Sequence, residues 1–338
     1  MEPFRSGSTR EAEGSPPGIW NGHELLDRLT CVTGYVLRRL AAIVALAFGI
    51  SVVVFLILRL IPGDPAIVLL GTNAGDSSLV ARLHHQLGLD LPLYVQYLQW
   101  IGHLFHGDFG YSYGNQQSVT SLLAANFPAT LQLTLAGLIL SLVFGGAIGT
   151  IAALRRNRRA DVVAMSASLA FLSIPSFWLG LLLILLFAVE LPWFEVVGGT
   201  SLKGLVLPAV TLALGSIGFN ARFVRSSLIA AQVQKHVITA RAKGITRAQV
   251  FMRHILRNAL LPILTIIGLQ VGQLLSGAVI IETVFSRPGI GRLLVQAILA
   301  KDYLTVQAVI LIIAILYALA NFVVDLLYPI IDPRVANR

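Results

Sequence analysis

Long apolar runs, each closed by a cluster of charge or by Gly and Pro, dominate this chain. A helix needs about 20 consecutive apolar residues to cross a bilayer, and six runs approach or exceed that length: Leu40 to Ile61, Ala129 to Leu154, Val162 to Val189, Leu205 to Phe219, Ala259 to Ile281 and Val306 to Pro329. The fourth is short and contains Pro208, so its ends are the least defined. The pattern predicts an all-α integral membrane protein with six transmembrane helices.

The polar interruptions are equally informative. Residues 62–128 form a large segment between the first two spans. Within it Asp90 and Pro92 are helix-start signals, and Tyr94, Leu98, Ile101 and Phe105 follow at helical spacing, so LPLYVQYLQWIGHLF reads as an amphipathic helix ended by Gly107 and Gly110. Such a helix can lie flat in the membrane interface, serve as a platform for an external partner, or brace the spans. Residues 282–307 carry Arg287, Arg292, Lys301 and Asp302, too many charges for lipid. Pro288, Gly289 and Gly291 there force a turn before a short helix from Arg292 to Ala300, which predicts a re-entrant or interfacial corner. Residues 222–258 hold a basic helix–turn–helix. Ala240 and Ala242 lead to Gly244, and Thr246 with Gln249 forms the Thr-x-x-Gln box that opens a second helix.

Composition strengthens the membrane reading. Of 338 residues 56% are hydrophobic and 12% charged, with mean hydropathy +0.79, against about 25% charged in soluble domains. Most of the 25 Lys and Arg fall on one side if the N-terminus is cytoplasmic: Arg5 to Arg39, Arg155 to Arg159, Arg222 to Arg257, Arg334 and Arg338. Both termini are therefore expected in the cytoplasm. The net charge of +9 then needs no nucleic acid; anionic inner-leaflet lipid is its expected counter-charge. The single cysteine, Cys31, excludes an intrachain disulfide and a cysteine metal cluster, and is expected to be inert. The first apolar run lacks a small-residue cleavage pattern and stays as a span. Met1 to about Asn21 have too little apolar content to pack and are expected to be disordered.

Within the spans, Gly145 and Gly149 lie four apart, and Gly268, Gly272 and Ser276 form one stripe, as close helix packing in lipid requires. Gln270 and Gln273 are polar side chains within a span and should meet protein or an aqueous path. Gln273 and Gly277 share a face, so Gln270, Gln273, Ser276 and Gly277 are candidates for a translocation path. Asn321 and Asp325 are expected at the inner water boundary.

Enzymatic readings lack their residues. There is no His-Glu-x-x-His, no Gly-x-Ser-x-Gly and no phosphate-binding Gly-x-x-x-x-Gly-Lys-Ser/Thr loop. His84 and His85 are adjacent and point to different sides of a helix, so no metal site is expected. An ion-coupled transporter would want a carboxylate at mid-depth, whereas Asp161 and Asp325 lie towards the inner ends and Glu190 and Glu282 towards the outer. A membrane scaffold without transport is the remaining rival.

The segment Thr239 to Pro262, with TARAKG followed by RHILRNALLP, resembles the cytoplasmic loop of ABC-importer permeases, in particular those of the dipeptide, oligopeptide and nickel subfamily. YVLRRL running into IPGDP, LGLDLPLYVQYLQW with GDFGYS, and ETVFSRPGIGRLL with the terminal DLLYPIIDPR agree with it, so the resemblance covers about Tyr35 to Arg334. The wider family begins its loop Glu-Ala-Ala; here Ile238, Thr239 and Ala240 stand in those places, and Arg257 replaces an expected Pro. A borrowed Glu salt bridge is thereby put in doubt.

The resemblance implies a six-helix permease domain over residues 35–338, with the type I fold of the methionine-importer permeases, preceded by a cytoplasmic extension over residues 1–34. It implies a subunit of a binding-protein-dependent importer of di- or oligopeptides, or of a related solute such as glutathione or a nickel chelate, in the cytoplasmic membrane of a prokaryote. No cofactor is expected in this chain, ATP and Mg residing on two partner ATPase subunits. The other implied partners are a second, related permease and an extracytoplasmic substrate-binding protein. Thr239, Ala240, Arg241, Ala242, Lys243, Gly244, Ile245 and Arg247 are then the candidates for ATPase coupling, and Asp90, Tyr94, Trp100, Asp108, Arg287 and Arg292 for binding-protein contact.

Overall fold

A computed structural model of the chain describes residues 22–60, 64–70, 75–86, 88–112, 114–197 and 199–331. The expectations for residues 1–21, for Arg334 and Arg338, and for the side chain of Cys31 lie outside the described residues. The chain divides into residues 1–42 and 43–338, and the contacts below lie within the second unit.

Helix α1 (Gly22–Leu60) carries the first span from Val36 to Leu60. It is followed by α2 (Pro65–Leu70), α3 (Ser77–Gln86) and α4 (Leu93–Phe105). Asp64, from the IPGDP stretch, joins the first two of these short helices. Its carboxylate accepts from the Ala66 N–H at 2.9 Å at the start of α2 and lies 2.6 Å from His84 Nε2 on α3. Burial pushes this carboxyl up, but the bonds to His84 and to the α2 backbone outweigh that and hold it below the usual carboxylate range. A two-residue antiparallel ribbon, β1 (Tyr111–Ser112) with β2 (Gln117–Ser118), then leads into α5 (Val119–Leu154), whose first turn is capped by the Ser118 hydroxyl.

Helix α5 packs along α8 (Leu202–Gln232) through small residues four apart. Gly137 meets Leu212, Gly145 meets Asn220 and the Ile217 carbonyl, and Gly149 meets the Ala221 carbonyl; a Cβ at Gly145 or Gly149 would stand 2.5 Å from its nearest neighbour. The expected Gly145/Gly149 pair thus belongs to a longer stripe with Gly137 and Ser141. The second stripe also packs: Gly268 lies against Asn321 and Val324, and Gly272 against Tyr317, joining α11 (Arg257–Val284) to α13 (Tyr303–Ile331).

Two spans differ from expectation. Val162 to Val189 is not one rod. Helices α6 (Arg159–Ser173) and α7 (Ser176–Ile184, continuing as a π turn to Glu190) meet at 96°. Pro175 is the cause: it disfavours helical backbone at the residue before it, and Ile174 sits extended at φ −86°, ψ 124°. The fourth span is the opposite case, a helix from Leu202 to Gln232 that absorbs Pro208 and runs well beyond its apolar stretch. Five helices are long and apolar enough to cross a membrane among the described residues, and there are six candidate spans if the bent pair is counted as one.

Between the fourth and fifth spans stand α9 (Lys235–Ala242) and α10 (Arg247–Val250), the latter running through a π turn (Phe251–Leu256) into α11. Between the last two spans α12 (Ile290–Leu299) forms the expected corner helix.

Candidate functional site

At one end of the bundle α9 is seated by its apolar side. Val237 and Ala240 are buried with Leu228 and Ala231 of α8, Val250, Ile255, and Ala259 of α11. The other side is open: Thr239, Arg241, Ala242, Lys243, Gly244, Ile245 and Arg247 are all exposed. Ala240 departs from expectation, because its i,i+3 spacing from Val237 turns it into the core, beneath the exposed face instead of on it. Gly244 adopts φ +77°, its N–H bonding to the Arg241 carbonyl and the Ile245 N–H to the Ala240 carbonyl. This is a left-handed helix end, which glycine adopts without steric cost. Among the described residues, nothing beyond its chain neighbours lies within 4 Å of a Cβ built at Gly244, so the space beside the corner is open. The Thr246 hydroxyl accepts from the Gln249 N–H and donates to the Gln249 side-chain oxygen, the expected capping pair. Residues 233–258 contain no Asp or Glu, so the exposed face is uniformly basic and suits an acidic partner.

One further contact secures this end. Arg225 of α8 donates two bonds, at 2.6 and 2.7 Å, to the Asp161 carboxylate at the start of α6, and the Asn157 N–H adds a third at 2.9 Å. Asp161 is 3% exposed. Sequence reasoning put Asp161 towards the inner end of its span and Arg225 in the basic stretch from Arg222 to Arg257, but gave no sign of the pairing, whose partners are 64 positions apart.

The opposite end is organised by buried charge. Glu282, fully buried near the end of α11, accepts from the Thr130 hydroxyl of α5 at 2.5 Å and from the N–H groups of Gly291 and Arg292 at 2.8 and 3.2 Å. The glycines of RPGIG now have a reason. A Cβ at Gly289 would overlap the Glu282 carboxyl group, and one at Gly291 would stand 2.5 Å from the Val279 Cα. Arg287 donates to the Gly199 carbonyl and to the Gln132 side chain. It is completely buried, and burial pulls its guanidinium down from its ordinary value, with Glu282 opposing. Asp302 receives the Ser112 and Thr305 hydroxyls and the Thr305 N–H. Arg287 is therefore not exposed for a binding protein, as expected from sequence, but is an internal tie. Trp100 is also buried, stacked on Phe55 of α1. Asp90, Tyr94 and Asp108 are exposed, and Arg292 is half-buried with its guanidinium on the Ser286 carbonyl.

Between the two ends runs the face of α11 that carries the path candidates. Leu269, Gln273, Ser276, Ile280 and Thr283 are exposed along it at helical spacing, so amide and hydroxyl groups alternate with apolar ones on a span surface. Gln270 is not on this face. It is 1% exposed and donates to Ser141 of α5 at 3.3 Å, an interhelical bond rather than a path group. Gln273 and Gly277 line a cavity of about 250 Å³ with Phe171 and Ser176 at the bend of the broken span and Ser216 and Phe219 of α8. Non-helical backbone at membrane depth is tolerated where it lines such a cavity. None of its lining side chains is charged.

Comparison with known proteins agrees with this architecture. Residues 145–337 match the family described as binding-protein-dependent transport system inner membrane component, and residues 32–134 match its N-terminal companion. The chain is 41% identical over 332 residues to the Di/tripeptide transport system permease protein DppB of Pseudomonas aeruginosa, covering 90% of this chain and 99% of that one. It is 41% identical over 304 residues, with the same coverage, to the Glutathione transport system permease protein GsiC of Escherichia coli K12. Among solved structures, an inward-facing MetNI methionine ABC transporter superposes with TM-score 0.52 at 21% identity, over 62% of this chain and 96% of that one. At that identity the likeness concerns the fold alone.

Proposed function

The chain belongs to the family of binding-protein-dependent transport system inner membrane components and is a multi-pass permease subunit of an ABC importer in the bacterial cytoplasmic membrane; from that premise we propose that it carries small peptides, of two or three residues or glutathione-like, by alternating access. The relatives named for di/tripeptide and glutathione transport support the substrate class. The uncharged cavity beside Gln273 and Ser216 supports it too, because it offers amide and hydroxyl groups to a peptide backbone among apolar walls that accept varied side chains.

The observation that carries the mechanism is the exposed corner at Gly244, continuous on one side with α8 and on the other, through α10, with α11. An ATPase subunit seated on Arg241, Lys243, Gly244, Ile245 and Arg247 moves both helices when its dimer closes on ATP. The polar face of α11 is then turned between the two sides of the membrane. That face belongs to half a path, completed by a second, related permease with its own ATPase; a receptor on the far side delivers the solute. ATP and Mg sit on the motor subunits, and the end bearing α9 is cytoplasmic. Replacing Gly244 with Glu in the importer assembled with its receptor, sister permease and motor tests this. Membrane insertion and complex assembly should survive, while uptake of a labelled alanyl dipeptide and receptor-stimulated ATP hydrolysis should be lost; normal uptake refutes the docking role.

A further inference from the structure

Helix α4 presents three separate sectors, and only two of them have an evident environment. At about 100° per residue, one sector points to α1. Tyr97 hydrogen-bonds the Ser51 hydroxyl at 2.8 Å and lies edge-on to Phe55, and Trp100 stacks on Phe55. Gln96, on the same helix, receives the Arg59 guanidinium at 2.9 Å. A second sector is polar and exposed, with Gln99, His103 and His106; His103 also lies 3.3 Å from Asp108. The third sector is apolar and exposed: Tyr94 at 69%, Leu98 at 64% and Phe105 at 87%.

The depth of this third sector identifies its surroundings. The first span ends at Leu60, so at 1.5 Å per residue Ser51 lies about 13 Å below that end, in a hydrocarbon layer about 30 Å thick. A side chain bonded to Ser51 brings α4 down beside the outer half of the span. There α1 shows its own apolar face to the bilayer through Val53, Leu56 and Ile57, each about half exposed or more than 40% so. We propose that α4, although part of the large segment between the spans, is seated in the membrane interface, with Tyr94, Leu98 and Phe105 among acyl chains and Gln99, His103 and His106 in water. Its partner is the lipid surface, continuous with that of α1. The bonded Ser51–Tyr97 and Arg59–Gln96 pairs hold the helix at this level, so the segment next to the membrane is anchored both to the first span and to the leaflet.

Site-directed fluorescence tests the assignment. In the full importer carrying Cys31→Ser and reconstituted in phosphatidylethanolamine/phosphatidylglycerol vesicles, Leu98→Cys, Phe105→Cys and His106→Cys are each labelled with a nitrobenzoxadiazole probe. Labels at 98 and 105 should emit at shorter wavelength and be quenched by lipids spin-labelled near the headgroup, whereas the label at 106 should be quenched by aqueous iodide. Equal iodide quenching at all three positions would overturn the proposal. Protection of 98 and 105 that appears only when the substrate-binding protein is added would also overturn it, by assigning the face to that protein.

Discussion

The two ends of the bundle are built on opposite principles. The end bearing α9 is closed by small apolar residues, Ala153, Ala231, Val237, Ala240 and Val250, and, apart from Arg225 on Asp161, leaves the basic groups of its corner outside. The far end buries Glu282, Arg287 and Asp302 and spends backbone N–H groups and hydroxyls on satisfying them. Charge in the open is available to a partner and contributes little to stability. Charge in the interior fixes one arrangement of α5, α11 and α12 and is costly to disturb. Under the proposed function one end would receive force, and the other would be a rigid cap on the helix that transmits it.

Substitutions that break this contrast should fall in a definite order. Glu282→Ala leaves the Thr130 hydroxyl and two N–H groups without their acceptor and removes the charge opposing Arg287. It should cost about 3–5 kcal/mol, read as a large fall in the thermal midpoint of the purified subunit, with Glu282→Gln milder. Asp161→Ala leaves Arg225 without its partner and should cost about 2–3 kcal/mol; since Asp161 is, among the described residues, the one buried carboxylate at the basic end, an equal or larger loss than at Glu282 would blur the comparison. Gly291→Ala, which drives a methyl towards the Val279 Cα, should cost about 1–3 kcal/mol. Gly244→Ala meets only open space and should cost about 1 kcal/mol, from its left-handed backbone alone. Arg241→Glu with Lys243→Glu should change stability by less than about 0.5 kcal/mol and yet abolish motor binding in a pull-down; retained binding would remove the functional half of the contrast.

Acid sharpens the contrast by a smaller effect. The Asp64 carboxyl is held below its ordinary value by His84 and the α2 backbone. Its contribution is therefore complete above the unfolded value of about 3.9 and is lost as pH falls through the lower folded value. Hydrogen-exchange protection factors of α2 and α3, corrected for the pH dependence of intrinsic exchange, should stay constant down to about pH 4 and fall only below it.

Much of this was legible in the sequence because it is local. The apolar runs marked the spans, Ala-Lys-Gly followed by Thr-x-x-Gln marked the corner and its second helix, and Pro288-Gly289 marked the turn before α12, which starts at Ile290, two residues ahead of the expected Arg292. The bend at Ile174 was also written locally, in Pro175, but the apolar run around it masked the signal. What could not be read is set by contacts between distant positions. The Glu282–Thr130 bond joins residues 152 apart and Ser112–Asp302 residues 190 apart, so charges that looked too numerous for lipid gave no hint that they were paired inward. Arg287 was misplaced for that reason. Trp100 was misplaced for another, and Gln270 took the protein contact that was one of its two expected environments and not the path: α4 and α11 carry suitable residues on more than one face, and only packing decides which face turns inward.

The central claim is that force entering at the Gly244 corner reorients the polar face of α11. Labelling of Ser276→Cys by a membrane-impermeant maleimide, in the Cys31→Ser importer reconstituted with its motor, tests it most directly. The rate should change when ATP is bound, and that change should vanish when Gly244→Glu is added. An ATP-dependent change that persists unaltered in the Gly244→Glu protein would contradict the account.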